Sequence, residues 1–121
     1  FFLEEKLMRF KVIIAMVEQE HQDDVISSAK DAGATGVTIL NARGEGIREQ
    51  KSFFGLQMEQ QRDVLLFIVE DFHANSIMDA VYKAGDFKKG RGMAFSWTVD
   101  RVIGTESQME ALEKAAQKKY I

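Results

Sequence analysis

Two short segments combine glycines with cations: Gly44-Glu45-Gly46, followed by Arg48, and Gly90-Arg91-Gly92, preceded by Lys88 and Lys89. Alternating glycines let successive backbone N–H groups turn inward as a nest for an anion, and neighbouring cations supply counter-charge. The chemistry on offer is binding of a phosphate or a related anion. The plainer alternative at each place is a tight turn, since glycine most often serves backbone geometry. Neither segment completes a dinucleotide or P-loop fingerprint: Glu49 stands where the third glycine of G-x-G-x-x-G would fall, and no Gly-Lys-Ser/Thr follows.

Other reactive side chains are sparse. The chain has no cysteine, no serine set beside a readable base, and no acidic pair inside an apolar run, so no catalytic residue and no enzymatic activity is expected. Val-Glu-x-x-His occurs twice, ending at His21 and at His73. A Glu/His metal site is the sharp reading of that pattern, and a polar turn entering a helix is the bland one. The duplication favours the second, because related strands that run antiparallel carry Glu18/His21 and Glu70/His73 to opposite edges of a sheet. Asp23 and Asp24 suit the first turn of a helix.

The elements that position these residues follow from an internal repeat. Displaced by 52 residues, VIIAMVEQEHQDDVISSAKDAG from Val12 lies over VLLFIVEDFHANSIMDAVYKAG from Val64 without a gap. Each copy is an apolar run, a polar turn and then apolar positions at helical spacing, which predicts strand then helix. Val25, Ile26, Ala29 and Ala32 form the first helical stripe, closed by Gly33 in a left-handed stop; Ile77, Val81 and Ala84 form the second, followed by Gly85. GVTILNAR from Gly36 and MAFSWTV from Met93 supply a further strand after each helix.

The order β-α-β, β-α-β predicts an α+β, ferredoxin-like βαββαβ fold: a four-stranded antiparallel sheet with both helices on one face. Ile39, Leu65, Phe67 and Trp97 are expected on the uncovered face, which calls for homo-oligomerisation. Thr105 to Lys119 predicts a short, docked C-terminal helix, with a Thr-x-x-Gln cap and Met109, Leu112 and Ala116 on one stripe. Residues 1–7 read as an N-terminal extension before Met8, and 8–121 as a single domain.

Composition narrows the function classes. A formal charge of -3 argues against a general nucleic-acid binder, and the apolar runs fall far short of the roughly 20 residues of a membrane span. The absence of cysteine fits a cytoplasmic protein.

Set in this order of elements, the motifs resemble those of the PII signal-transduction proteins, from Phe10 to Ile103. The resemblance rests on KVIIAMV, on DAGATGVTI with Gly36 and Thr38, on Gly44-x-Gly46 where that family's long T-loop begins, on KKGRGMAF at its phosphate-gripping B-loop, and on VDRVIG at its last strand. It implies a homotrimer with an adenine nucleotide in each cleft between subunits, bound as an effector rather than as a tight cofactor. It also implies a loop that docks on a regulated protein, such as an integral membrane transporter that would recruit this chain to the membrane. Position by position it makes Thr38, Gly44 and Gly46 nucleotide-side residues and Gly90, Arg91 and Gly92 the phosphate nest, and puts Arg62 where the family has a T-loop-base lysine; Arg48, Lys88, Lys89 and Arg91 are the nucleotide-side cations available to substitute for those this chain lacks.

The departures are as informative. Met93 stands where the B-loop lysine belongs, and Gly104 and Glu106 stand where two C-terminal arginines clamp phosphate. Each missing charge-assisted contact is worth roughly 1.5 to 3 kcal/mol. Tight ATP binding is therefore in question, with AMP, ADP, a cyclic nucleotide or another anion open. The 44–61 loop is shorter than the family's and holds no tyrosine, so tyrosine uridylylation is not expected.

A connection of this length between paired strands suggests a working loop. Its base, from Gly44 to Arg48, reads as ligand-facing; Lys51, Ser52, Phe53, Phe54 and Gly55 read as the partner-binding tip. Phe53 and Phe54 serve there as anchors for a partner, as a lid, or as apolar residues tucked under the loop. Two rivals come from other classes. An RNA-recognition domain shares the element order, but its stacking aromatics would be replaced by Arg91 and Met93, in the wrong strand. A small enzyme on the same fold is the other.

Overall fold

The computed structural model describes residues 9–42, 52–53, 56–57, 61–104 and 106. In chain order the elements are β1 (Phe10–Glu18), α1 (Gln22–Asp31), β2 (Thr38–Ala42), β3 (Ser52–Phe53), β4 (Leu56–Gln57), β5 (Arg62–Glu70), α2 (Asp71–Ala84) and β6 (Met93–Thr98). The four long strands form one antiparallel sheet in the order β2-β5-β1-β6, and β3 and β4 make a separate small hairpin. This is the expected α+β, ferredoxin-like arrangement. The expected helix at Thr105 to Lys119 lies, Glu106 apart, outside the described residues.

The repeat sets the centre of the sheet. β1 and β5 are the same window displaced by 52 residues, and their register pairs Phe10 with Glu70 and Glu18 with Arg62. Ile14 consequently faces Leu66, its own counterpart in the other copy. A local two-fold axis runs through that pair.

Period-two alternation then divides the strands between two faces. Ile13, Ala15 and Val17 of β1 and Leu65, Phe67 and Val69 of β5 are buried against Val25 and Ala29 of α1 and Ala74, Ile77 and Val81 of α2. Fully burying a Phe or Leu side chain contributes about 1.5–3 kcal/mol, so these positions hold the helices to the sheet.

The expected assignment of the open face is corrected here. Leu65 and Phe67 point into the core, and Ile39, paired with Leu65, lies on that same helix-facing side at the edge. Of the four residues expected there, Trp97 alone is on the open face. Alternation separates two sets of side chains, but a shift of one residue exchanges which set meets the helices. By register the open face carries Val12, Ile14 and Met16, flanked by Val64, Leu66 and Ile68 and by Leu40, Phe95 and Trp97. Leu40 is 53% exposed and Trp97 48%, and the Phe95 and Trp97 rings lie nearly parallel with centroids 6.0 Å apart.

The two helices end within one residue of the same repeat position, by different devices. Gly33 takes a positive φ of 124° after α1, as expected. After α2, Gly85 is right-handed at φ −83°, and Asp86 holds the left-handed position at φ 56°.

A candidate anion-binding turn

Within one chain the sheet order divides the expected site residues. Thr38 opens β2 at one edge, whereas Lys88, Lys89, Gly90, Arg91 and Gly92 lead into β6 at the other. Three strand spacings, about 14 Å, separate the two edges. Gly44, Gly46, Arg48, Lys51, Phe54 and Gly55 lie outside the described residues; Ser52 and Phe53 form β3, opposite Gln57 and Leu56. Arg62 is brought to Arg91: although only 2% exposed, its Nη1 donates to the Arg91 carbonyl at 2.7 Å.

The turn itself is built from backbone. A 3-10 turn at Phe87–Lys89 is bracketed by two left-handed residues, Asp86 and Gly90. The Lys89 N–H donates to the Asp86 carbonyl at 3.1 Å and the Gly90 N–H to that of Phe87 at 2.9 Å. Among the described residues no such turn bond uses the N–H groups of Arg91, which is exposed, or Gly92, which is buried.

Both glycines nonetheless have a structural reason. Gly90 sits at φ 73°, which L residues rarely adopt, and a Cβ on Gly92 would come within 2.3 Å of the Phe87 ring and 2.5 Å of the Met16 carbonyl. The tight-turn reading and the nest reading therefore coincide.

The side chain of Arg91 is the feature that local spacing did not reveal. Its Nη1 lies 3.2 Å from Glu18 and 3.7 Å from Glu20, and its Nε lies 3.3 Å from Asp86. Glu18 is 73 positions away in sequence, so no short motif could signal the contact. His21 Nε2 approaches the same acids, at 3.8 Å from Glu20 and 4.0 Å from Glu18. Of the lysines, Lys89 lies 4.0 Å from Asp86, and Lys88 is exposed.

The two Val-Glu-x-x-His copies do not cooperate. Glu18 and Glu70 finish neighbouring central strands at opposite ends of the pair rather than at opposite edges of the sheet, and eight register steps, about 26 Å, separate them. Glu18, Glu20 and His21 could bring their ligand atoms within 4.8 Å of one another, but the Arg91 guanidinium is the cation beside both acids. His73 packs across Gly33, where an added Cβ would lie 2.7 Å from its ring, and so ties the start of α2 to the end of α1.

A buried acid was also missed. Asp63 is 2% exposed; its Oδ2 accepts a hydrogen bond from Gln22 Nε2 at 2.8 Å, and its Oδ1 has no partner among the described residues.

The fold and this turn can be set beside known proteins. The family model of the nitrogen regulatory protein P-II matches residues 10–109. The chain belongs to the PII family. Among solved structures, this PII chain is similar to a protein of Thermus thermophilus assigned to the PII-like signalling proteins, with 27% identity over 76% of this chain and 88% of the other, at a TM-score of 0.58. A Bacillus cereus protein related to NIF3 shares the fold at a TM-score of 0.61 and 15% identity, with 78% of this chain covering 26% of that one. No curated protein sequence matches the chain significantly. Among the described residues no helix is long and apolar enough to cross a membrane.

Proposed function

We propose that this PII-family protein is a homotrimeric, non-catalytic sensor that binds an adenine nucleotide or a related anion in clefts between copies. The 44–61 loop reports occupancy to a partner protein, such as an integral membrane transporter at the cytoplasmic face. The observation that carries the reading is the division of the site between opposite edges of the sheet. Thr38 on β2 and Gly90 to Gly92 before β6 meet only where the β2 edge of one copy approaches the β6 edge of the next. The uncovered apolar face supplies a reason for copies to associate.

Phosphate would be met by the Arg91 and Gly92 N–H groups, with Arg62 holding the turn in place from behind. Met93, Gly104 and Glu106 in place of phosphate cations make the binding weaker than a full cationic clamp would give. Ligand would act by population shift, moving the loop equilibrium only by its differential affinity for the two loop states, about 1.4 kcal/mol per tenfold. The RNA-recognition rival gains Phe95 and Trp97 as a stacking surface, but among the described strand residues on that face none is an exposed Lys or Arg.

Calorimetric titration of the purified protein with AMP, ADP, ATP and cyclic nucleotides is the test. Heat and a thermal shift with at least one of them are expected; silence with all of them removes the nucleotide. Light scattering should give a trimer mass, and a monodisperse monomer contradicts the cleft.

A further inference from the structure

Arg91 has the position to be the strongest cation of the turn, yet its charge is already spoken for. One guanidinium lies within 4 Å of carboxylates from three places in the chain: the end of β1, the turn after it, and the residue that stops α2. Exposed ion pairs are individually weak. The Glu18 contact is the best placed of the three: its Arg91 end is 43% exposed, but the Glu18 side chain is only 13% exposed and the 3.2 Å approach is also a hydrogen bond. Its backbone is fixed as well, through the Arg62 bond to the Arg91 carbonyl. For Arg91 to turn toward a phosphate it would have to leave Glu18 uncompensated, and a polyphosphate would then face Glu18, Glu20 and Asp86 together.

We infer that Glu18, Glu20 and Asp86 form a charge filter: by holding Arg91 they make the turn select a phosphate ester of low charge, a nucleoside monophosphate or cyclic phosphate, over a triphosphate. The inference rests on the anion-binding reading above and specifies its ligand. A single phosphate needs only the Arg91 and Gly92 N–H groups, which the acids do not occupy. A triphosphate brings further negative charge to an acidic rim whose own cations, Arg91 and Lys89, are already paired with it, which among the described residues of the turn leaves the exposed Lys88 to offset it.

The test is calorimetry with AMP, cyclic AMP and ATP on the wild-type protein and on Glu18→Gln/Glu20→Gln, which keeps size and hydrogen-bonding atoms while removing two charges. The wild type should favour AMP over ATP, and the variant should gain roughly tenfold for ATP, one charge-assisted contact, with AMP nearly unchanged. Adding Arg91→Met should abolish that gain, and Arg91→Met alone, which leaves the three carboxylates uncompensated, should weaken ATP further. A melting curve checks that each variant folds, and Asp86→Asn provides an independent route to the same change. Binding by the wild type with the same ATP-to-AMP ratio in every variant, or a wild-type preference for ATP, overturns the filter alone. No binding of any nucleotide by any protein overturns the anion site and the filter with it.

Discussion

The ring of Phe87 lies over both Gly85 and Gly92, where an added Cβ would meet it at 2.3 Å in each case, and it stands edge-on to Tyr82. Gly85 has an ordinary φ, so alanine there is opposed by the ring and by the nearby Val81 carbonyl rather than by backbone strain. Gly85→Ala is expected to cost about 1–3 kcal/mol by overpacking in urea denaturation. In a Phe87→Ala background the same change should cost much less, and strict additivity of the two would contradict the contact. At Asp63 the relevant bond is with Gln22. Gln22→Ala should lose about 1–3 kcal/mol, because a buried carboxylate loses its donor, whereas a loss near zero would mean that water already serves it. Glycines and acids were legible in the sequence as residue types. Which ring, acid or amide each one meets was not, since Phe87 over Gly92, Glu18 on Arg91 and Gln22 on Asp63 are contacts made only when distant segments pack.

At the level of elements, the repeat made the strand–helix order and both helix ends readable, because Val12/Val64 and Val17/Val69 keep the same phase in the two copies. It could not say which phase faces the helices. Leu65 and Leu66 are neighbours of one type that test this directly. Leu65→Ala empties a core site and should cost about 2–5 kcal/mol. Leu66→Ala, on the open face, should cost distinctly less when measured at dilutions where the protein is monomeric. Equal losses there would mean that the sheet is covered on both sides within a single chain.

For the whole molecule the decisive surface is that open face. Its centre is Val12, Ile14 and Met16, and Leu40, Ile68, Phe95 and Trp97 are the most exposed residues around it. Trp97→Glu should lower the mass in light scattering toward one chain and abolish nucleotide binding with it, if the cleft is made between copies. A trimer that survives Trp97→Glu would place the interface elsewhere. The pairing of Ile14 with Leu66 has a different consequence. Because the two residues are counterparts across the local axis, Ile14→Leu/Leu66→Ile exchanges them while leaving the atoms at the axis the same in kind and number. Trading places should cost under about 1.5 kcal/mol, the usual limit for volume-conserving changes. A larger loss would measure how far the two halves have grown apart since they were copies of one another.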